Sequence, residues 1–133
     1  MSTKTPDPRP LSPFMLGPYY RFQLTSVLSF AHRLTGIGLS IGTLLLAGWL
    51  IALASGADCY AVYAHQLKAW YGQVLLFCWT WALLFHLCNG IRHLNWDLGR
   101  GFTIPTAYKT GYAAVVVSVL LTAAVWAVAC CAH

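Results

Sequence analysis

Residues 86–97 read His86-Leu87-Cys88-Asn89-Gly90-Ile91-Arg92-His93-Leu94-Asn95-Trp96-Asp97 and close a long apolar stretch. Ionisable side chains at membrane depth are energetically costly and usually functional. His86 and His93 are two helical turns apart, so a helix places both on one face. Gly90 lies between them on that face, where its missing side chain leaves room for a flat group. A histidine that faces such a gap is a candidate axial ligand of haem iron, and we assign that role to His86.

The composition indicates an integral membrane protein. Of the 133 residues, 59% are hydrophobic and only 8% are charged, and the mean hydropathy is +0.64. These values lie outside the range of ordinary soluble domains. The formal net charge is +5, but the basic residues form no stripe or cluster, which argues against nucleic-acid binding.

Three apolar stretches predict an all-α membrane protein with three transmembrane helices. They cover residues 27–54, 69–94 and 110–131, and each is longer than the roughly 20 residues that a bilayer requires. The predicted transmembrane domain is thus 27–131, preceded by a proline-rich, partly amphipathic segment at 1–26. Residues 55–66 are interpreted as a turn and a short connecting segment. The third span has no ionisable residue and many small ones, so we expect it to face lipid and pack against helices.

The basic residues predict how the chain is oriented. Lys68 lies in the connection between the first two spans, at one side of the membrane. The other seven basic residues lie at the opposite side: Lys4, Arg9, Arg21, Arg33, Arg92, Arg100 and Lys109. The positive-inside rule therefore places the N-terminus on the cytoplasmic or matrix side. No secretory signal or transit peptide pattern is visible, which favours a bacterial inner membrane, with the mitochondrial inner membrane as the alternative.

A second polar cluster lies at the start of the first span. Ser29 and Arg33 are one helical turn apart on one face, and His32 lies beside them. We expect Arg92 and His93 at the same membrane level. A guanidinium there suits carboxylates such as haem propionates, and a serine hydroxyl beside it suits a quinone carbonyl. The alternative is that both arginines extend to lipid headgroups.

A second haem ligand is not evident in the chain. His86 and His93 share a helix face and cannot bind opposite faces of one porphyrin, while His32 is expected nearer the membrane surface. The sequence also contains no flavin motif and no iron–sulfur cysteine set. We therefore expect a partner protein to supply the second ligand and soluble subunits to deliver electrons.

Three sequence blocks resemble the cytochrome b membrane-anchor subunit of succinate dehydrogenase (succinate:quinone reductase, respiratory complex II). Residues 9–13 are similar to its premembrane motif. Residues 29–36 resemble its S-x-x-H-R-x-[ST]-G signature, and residues 86–97 resemble its H-x-x-x-G-I-R-H-x-x-x-D signature. The blocks occur in family order over most of the chain, whereas the third span is similar only in hydrophobicity.

The resemblance implies a role for each matching residue. His86 would be one axial ligand of haem b, and a second small membrane-anchor subunit would supply the other ligand and complete the helical bundle. Ser29 and Arg33 would border the quinone site, and His32, Arg33 and His93 would lie close to the haem. An iron–sulfur subunit and a flavoprotein subunit would be further partners. The chain would thus be a subunit of an enzyme of electron transport and the tricarboxylic acid cycle, with no catalytic residue of its own.

Two alternatives remain open from the sequence. The chain could anchor a quinol:fumarate reductase, in which the same reaction runs backward, although the signatures favour succinate oxidation. It could also be a structural membrane subunit without a redox centre, in which case replacing His86 would leave optical spectra and quinone activity unchanged.

Overall fold

The computed structural model describes residues 21–132, and this part of the chain is helical throughout apart from short connections. It contains four helices: α1 (Leu24–Ala54), α2 (Ala57–Lys68), α3 (Trp70–Asp97) and α4 (Ile104–Cys131). Of these, α1, α3 and α4 are long and apolar enough to cross a membrane. The predicted fold with three transmembrane helices is therefore confirmed. Most of the predicted N-terminal segment, residues 1–26, lies outside the described residues.

The long helices extend beyond the predicted spans. α1 begins three residues earlier than predicted, α3 ends three residues later and α4 begins six residues earlier. At 1.5 Å per residue, a helix of 28 residues such as α3 is about 42 Å long, compared with about 30 Å for the hydrocarbon core. Hydropathy marks the part of a helix within lipid, so it misses the polar turns that continue into the interface.

Helix α2 was not predicted, because its twelve residues mix polar and apolar types and follow a turn signal. Gly56 ends the preceding turn with a φ of 112°, which favours glycine. Ala69, with ψ of 155°, separates α2 from α3. The hydroxyl of Tyr63 donates a 2.7 Å hydrogen bond to the carbonyl of Leu45, and this bond holds α2 against α1.

Helices α1 and α3 pack closely along a seam of glycines on α1. Gly42 lies directly against the indole of Trp79, and a Cβ atom at position 42 would overlap that ring. Gly36 lies against the imidazole of His86, where a Cβ atom would be 3.1 Å from Cε1. Small residues allow membrane helices to approach each other in this way, and here they let aromatic and imidazole rings of α3 reach the backbone of α1.

Helix α4 packs on α3 through a stripe of small residues, as expected for the third span. Its buried positions recur every three or four residues, at Ala107, Gly111, Ala114, Ser118 and Thr122. The hydroxyls of Ser118 and Thr122 donate to carbonyls of their own helix at 2.8 and 2.7 Å. These buried polar groups are therefore satisfied without a partner on another helix.

The three long helices alternate in direction, which determines where the polar residues meet. The start of α1, the end of α3 and the start of α4 lie at one end of the bundle. Contacts of Gly111 with Leu24 and Leu28 close this end between α4 and α1. The two polar clusters of the sequence, one on α1 and one on α3, are consequently brought together.

The α1–α3 seam predicts unequal effects of two glycine-to-alanine substitutions. Gly42→Ala should destabilise the protein by about 1–3 kcal/mol, since the new methyl group overlaps the ring of Trp79. Gly38→Ala is the matched control, because no atom lies within 4 Å of a Cβ there, and alanine favours helix over glycine. Thermal unfolding of the purified protein measures both. Equal midpoints for the two variants would contradict the close contact.

Candidate functional site

The imidazole of His86 is held against α1 by its Nδ1 atom. This atom lies 3.1 Å from the Thr35 hydroxyl oxygen and 3.1 Å from the carbonyl oxygen of His32. Because a carbonyl oxygen can only accept a hydrogen bond, Nδ1 carries the hydrogen in this arrangement. The lone pair of the neutral ring is then on Nε2, the protonation state in which that nitrogen can bind a metal ion.

Thr35 has a role that the sequence analysis did not assign. Its hydroxyl lies 2.9 Å from the carbonyl oxygens of Ala31 and His32, to which it donates within α1. Its oxygen therefore accepts from His86. Thr35 follows His32 by about one turn on the same helix face, and this spacing could have indicated its role from the sequence.

Three imidazoles meet between α1 and α3. The rings of His32 and His86 are stacked with centroids 3.8 Å apart and an angle of 12° between their planes. His93 is tilted by 44° and its centroid is 5.0 Å from that of His32. The space expected beside Gly90 is taken by His32, whose Cε1 would be 3.9 Å from a Cβ at that glycine. Among residues 21–132, no group of three or more histidine, cysteine or acidic side chains is arranged to hold a metal ion.

The contact of His32 with His86 was not expected from the sequence. The two rings meet face to face. The ring of His32 lies beside Gly90, one turn nearer the end of α3 than His86, whereas Gly36 faces His86 itself. The two rings are thus in direct contact, with no gap between them. The buried Nδ1 of His32 has no hydrogen-bond partner in the described part of the chain.

Ser29 and Arg33 line a cavity of about 370 Å³ together with His93 and Trp96. Its remaining wall is formed by Thr25, Ser26 and Phe30. Within the range 21–132, the side chains of Ser29 and Arg33 form no hydrogen bond or ion pair. A hydroxyl and a guanidinium are thus available to a ligand in a cavity that also has aromatic walls, the usual composition of a small-molecule site.

Arg92 does not join Arg33, contrary to the expected convergence, and it does not extend to headgroups. It is only 6% exposed and turns towards α4. Its Nε donates to the Thr110 hydroxyl at 3.2 Å, and Nη2 donates to the Ala107 carbonyl at 3.1 Å. Nη1 donates to Oδ1 of Asn89 at 3.3 Å. The packing of α3 on α4 covers this face of α3, so the buried guanidinium finds its acceptors there.

Trp96 and Asn89 also belong to the site, although the sequence did not indicate a role for them. Trp96 lines the cavity and contacts His93 edge to face at 5.3 Å. Asn89 is fully buried, and its Nδ2 lies 3.4 Å from Nε2 of His93. Asn89 precedes His93 by four residues and Trp96 follows it by three, a spacing that places all three on one helix face.

Comparison with known proteins identifies close relatives over nearly the whole chain. The family described as succinate dehydrogenase/fumarate reductase transmembrane subunit matches residues 5–125. The succinate dehydrogenase cytochrome b556 subunit of Rickettsia felis is 41% identical over 118 residues, covering 89% of this chain and 90% of the relative. The corresponding subunit of Paracoccus denitrificans is 36% identical, with 85% of each chain covered. The mitochondrial cytochrome b560 subunit of Mus musculus is 38% identical over 87% of this chain and 69% of its own.

Proposed function

Because this chain belongs to the family of succinate dehydrogenase/fumarate reductase transmembrane subunits, we propose that it binds haem b and forms part of a quinone-reduction site. In this proposal, electrons from succinate pass through a flavoprotein subunit and an iron–sulfur subunit to a quinone in the membrane. The observation that supports it most is the pair of hydrogen bonds at Nδ1 of His86, since they leave Nε2 free for iron.

The residues around His86 fit an axial ligand. Metal-binding histidines usually donate their other N–H to a carbonyl or hydroxyl oxygen, which orients the ring and raises its basicity. For His86, the Thr35 hydroxyl and the backbone carbonyl of His32 accept this N–H. Gly36 allows the imidazole to approach α1. The haem, when bound, supplies one-electron transfer, and the part of this chain is to hold and orient one of its ligands.

The second axial ligand is proposed to come from a second small membrane-anchor subunit. His32 is stacked on His86, and His93 shares the helix face of His86. In the proposed site neither would therefore serve as the second ligand. His32, Arg33 and His93 are proposed to lie along the edge of the haem, where an imidazole or a guanidinium can donate to its propionates.

The cavity beside Arg33 is proposed as the quinone site. Reduction of a quinone takes two electrons and two protons. The guanidinium of Arg33 would donate to one carbonyl oxygen and polarise it, and the Ser29 hydroxyl would donate to the same end of the ring. Trp96 and Phe30 offer flat apolar walls against which a quinone ring can lie.

The direction and location of the reaction complete the proposal. The three relatives compared above are named as succinate dehydrogenase subunits, which favours succinate oxidation over fumarate reduction. The distribution of basic residues favours a cytoplasmic N-terminus in a bacterial inner membrane. The cavity would then take its protons from the cytoplasmic side, where the soluble subunits dock.

Replacing His86 tests the haem assignment. In His86→Ala, the purified complex should lose the α-band of a b-type haem in a reduced-minus-oxidised optical spectrum, because the iron loses one ligand. His65→Ala is the control, since His65 is an exposed imidazole on α2. A full α-band in an assembled His86→Ala complex would refute this ligand.

Replacing Thr35 tests the support of that ligand. Thr35→Val removes one acceptor of the His86 N–H, and we expect haem affinity to fall about tenfold, at the lower end of such effects. Thr35→Ser retains the hydroxyl and should retain the affinity. Haem titration into the depleted complex, followed by absorbance, measures both. Loss of affinity in Thr35→Ser but not in Thr35→Val would indicate that the methyl group, rather than the hydrogen bond, is what matters.

The quinone assignment predicts a higher KM for quinone, while the delivery of electrons from succinate stays unchanged. Ser29→Ala and Arg33→Gln should each raise the KM for a soluble short-chain quinone about tenfold, because a hydrogen bond to the substrate is lost. Succinate-dependent reduction of phenazine methosulfate, which does not need this site, should persist. Ser40→Ala is the matched control, since its hydroxyl bonds the Gly36 carbonyl and does not line the cavity. Unchanged KM values in both test variants would exclude the cavity.

A further inference from the structure

Arg92 is a buried cation that neither the proposed haem ligand set nor the quinone cavity includes. We propose that Arg92 is a positioning residue: it sets the orientation of His93 and of Trp96 at the wall of the cavity. This inference rests on the proposed quinone site, and it adds a residue that controls the shape and hydrogen bonding of that site without touching the quinone.

The burial of Arg92 requires an explanation beyond helix packing. A guanidinium that is 6% exposed within a membrane helix is energetically expensive. Its acceptors on Asn89, Ala107 and Thr110 are all neutral, so within residues 21–132 no acidic partner offsets the charge. Apolar side chains usually join two helices at least as well as a buried charge does. Arg92 also contacts Trp96, which lines the cavity, and Asn89, which contacts the cavity residue His93. We infer that these two contacts are the reason for the buried cation.

The first contact fixes the hydrogen bonding of His93. Because a guanidinium can only donate, the Asn89 oxygen faces Arg92, and the amide nitrogen of Asn89 faces His93. That nitrogen can only donate, so Nε2 of His93 accepts the bond and its ring carries the hydrogen on Nδ1. Arg92 thus selects one of two tautomers of a histidine at the cavity wall.

The second contact fixes the plane of Trp96. The guanidinium carbon of Arg92 lies 4.0 Å from the centre of the indole, within the range of a cation–π interaction. The indole N–H donates to the Gly101 carbonyl at 3.2 Å, and His93 meets the ring edge to face. Trp96 is therefore held from three directions, and its position defines one wall of the cavity.

Lysine cannot replace this arginine, although it has the same charge. The planar guanidinium donates to three acceptors and stacks on an aromatic ring at the same time, whereas an ammonium is a compact point charge. Arg92→Lys thus separates geometry from charge. If Arg92 acts by position, lysine fails to restore the site; if it acts only as a charge, lysine restores it.

The experiment compares Arg92→Gln and Arg92→Lys in the intact complex. We expect both to raise the KM for a soluble short-chain quinone about tenfold, with haem content and succinate-dependent dye reduction within about twofold of wild type. In a double-variant cycle, Trp96→Leu should raise KM less in the Arg92→Gln background than in wild type, because each change alone removes the contact between the guanidinium and the ring. These readouts distinguish positioning from a purely structural role, which would reduce assembled complex and leave KM unchanged.

Thr110→Val provides a milder change if the Arg92 variants do not assemble. It removes only the acceptor of Nε, and we expect KM to rise about threefold. Thr122→Val is the matched control, because this buried threonine of α4 bonds only its own helix.

Three results would overturn the inference: an unchanged KM in the assembled variants, restoration by lysine, or independent effects of Arg92→Gln and Trp96→Leu. Failure of the proposed function would appear separately, as wild-type complex without a b-type α-band or quinone turnover.

Discussion

Polar groups within a bilayer must find their partners inside the protein, and this constraint organises the whole structure. It is met most clearly where the Nδ1–H of His86 bonds both the Thr35 hydroxyl and the backbone of His32. That contact requires α1 and α3 to lie close together, which Gly36 permits. The antiparallel path of the chain then brings the polar ends of α1 and α3 to the same level, so the cavity forms beside the histidines.

Hydropathy and spacing predicted the parts of the structure that depend on one helix alone. The three spans follow from apolar length, and the shared face of His86 and His93 follows from their separation of seven residues. The convergence of Ser29, Arg33 and His93 on one cavity agrees with the sequence interpretation. Periodicity does not say which neighbouring helix a face will meet. For that reason the stacking of His32 and the role of Thr35 required the structure.

Arg33 and Arg92 show how differently two similar residues can be used. Both were expected at one membrane level, and composition gives no reason to separate them. The guanidinium of Arg33 borders a cavity and has no bond within residues 21–132, whereas that of Arg92 is bonded to Asn89, Ala107 and Thr110 where α4 packs on α3. A guanidinium without protein partners is available to a ligand, while one that is fully bonded acts on its neighbours. The packing of α4 is therefore what would divide the two arginines between the proposed roles of binding and positioning.

The turn between α3 and α4 contains two glycines with positive φ, at 99 and 101, and a connection of this kind usually opens before the helices it joins. Here the bond from Trp96 to the Gly101 carbonyl ties the turn to the end of α3, and the bond from Arg92 to the Ala107 carbonyl joins the two helices on either side of it. Opening of the turn breaks the first bond and releases Trp96, which covers one face of the buried cation. We therefore expect the turn to open together with the ends of α3 and α4, so that hydrogen exchange of its amides reports the stability of that unit rather than the mobility of a loop.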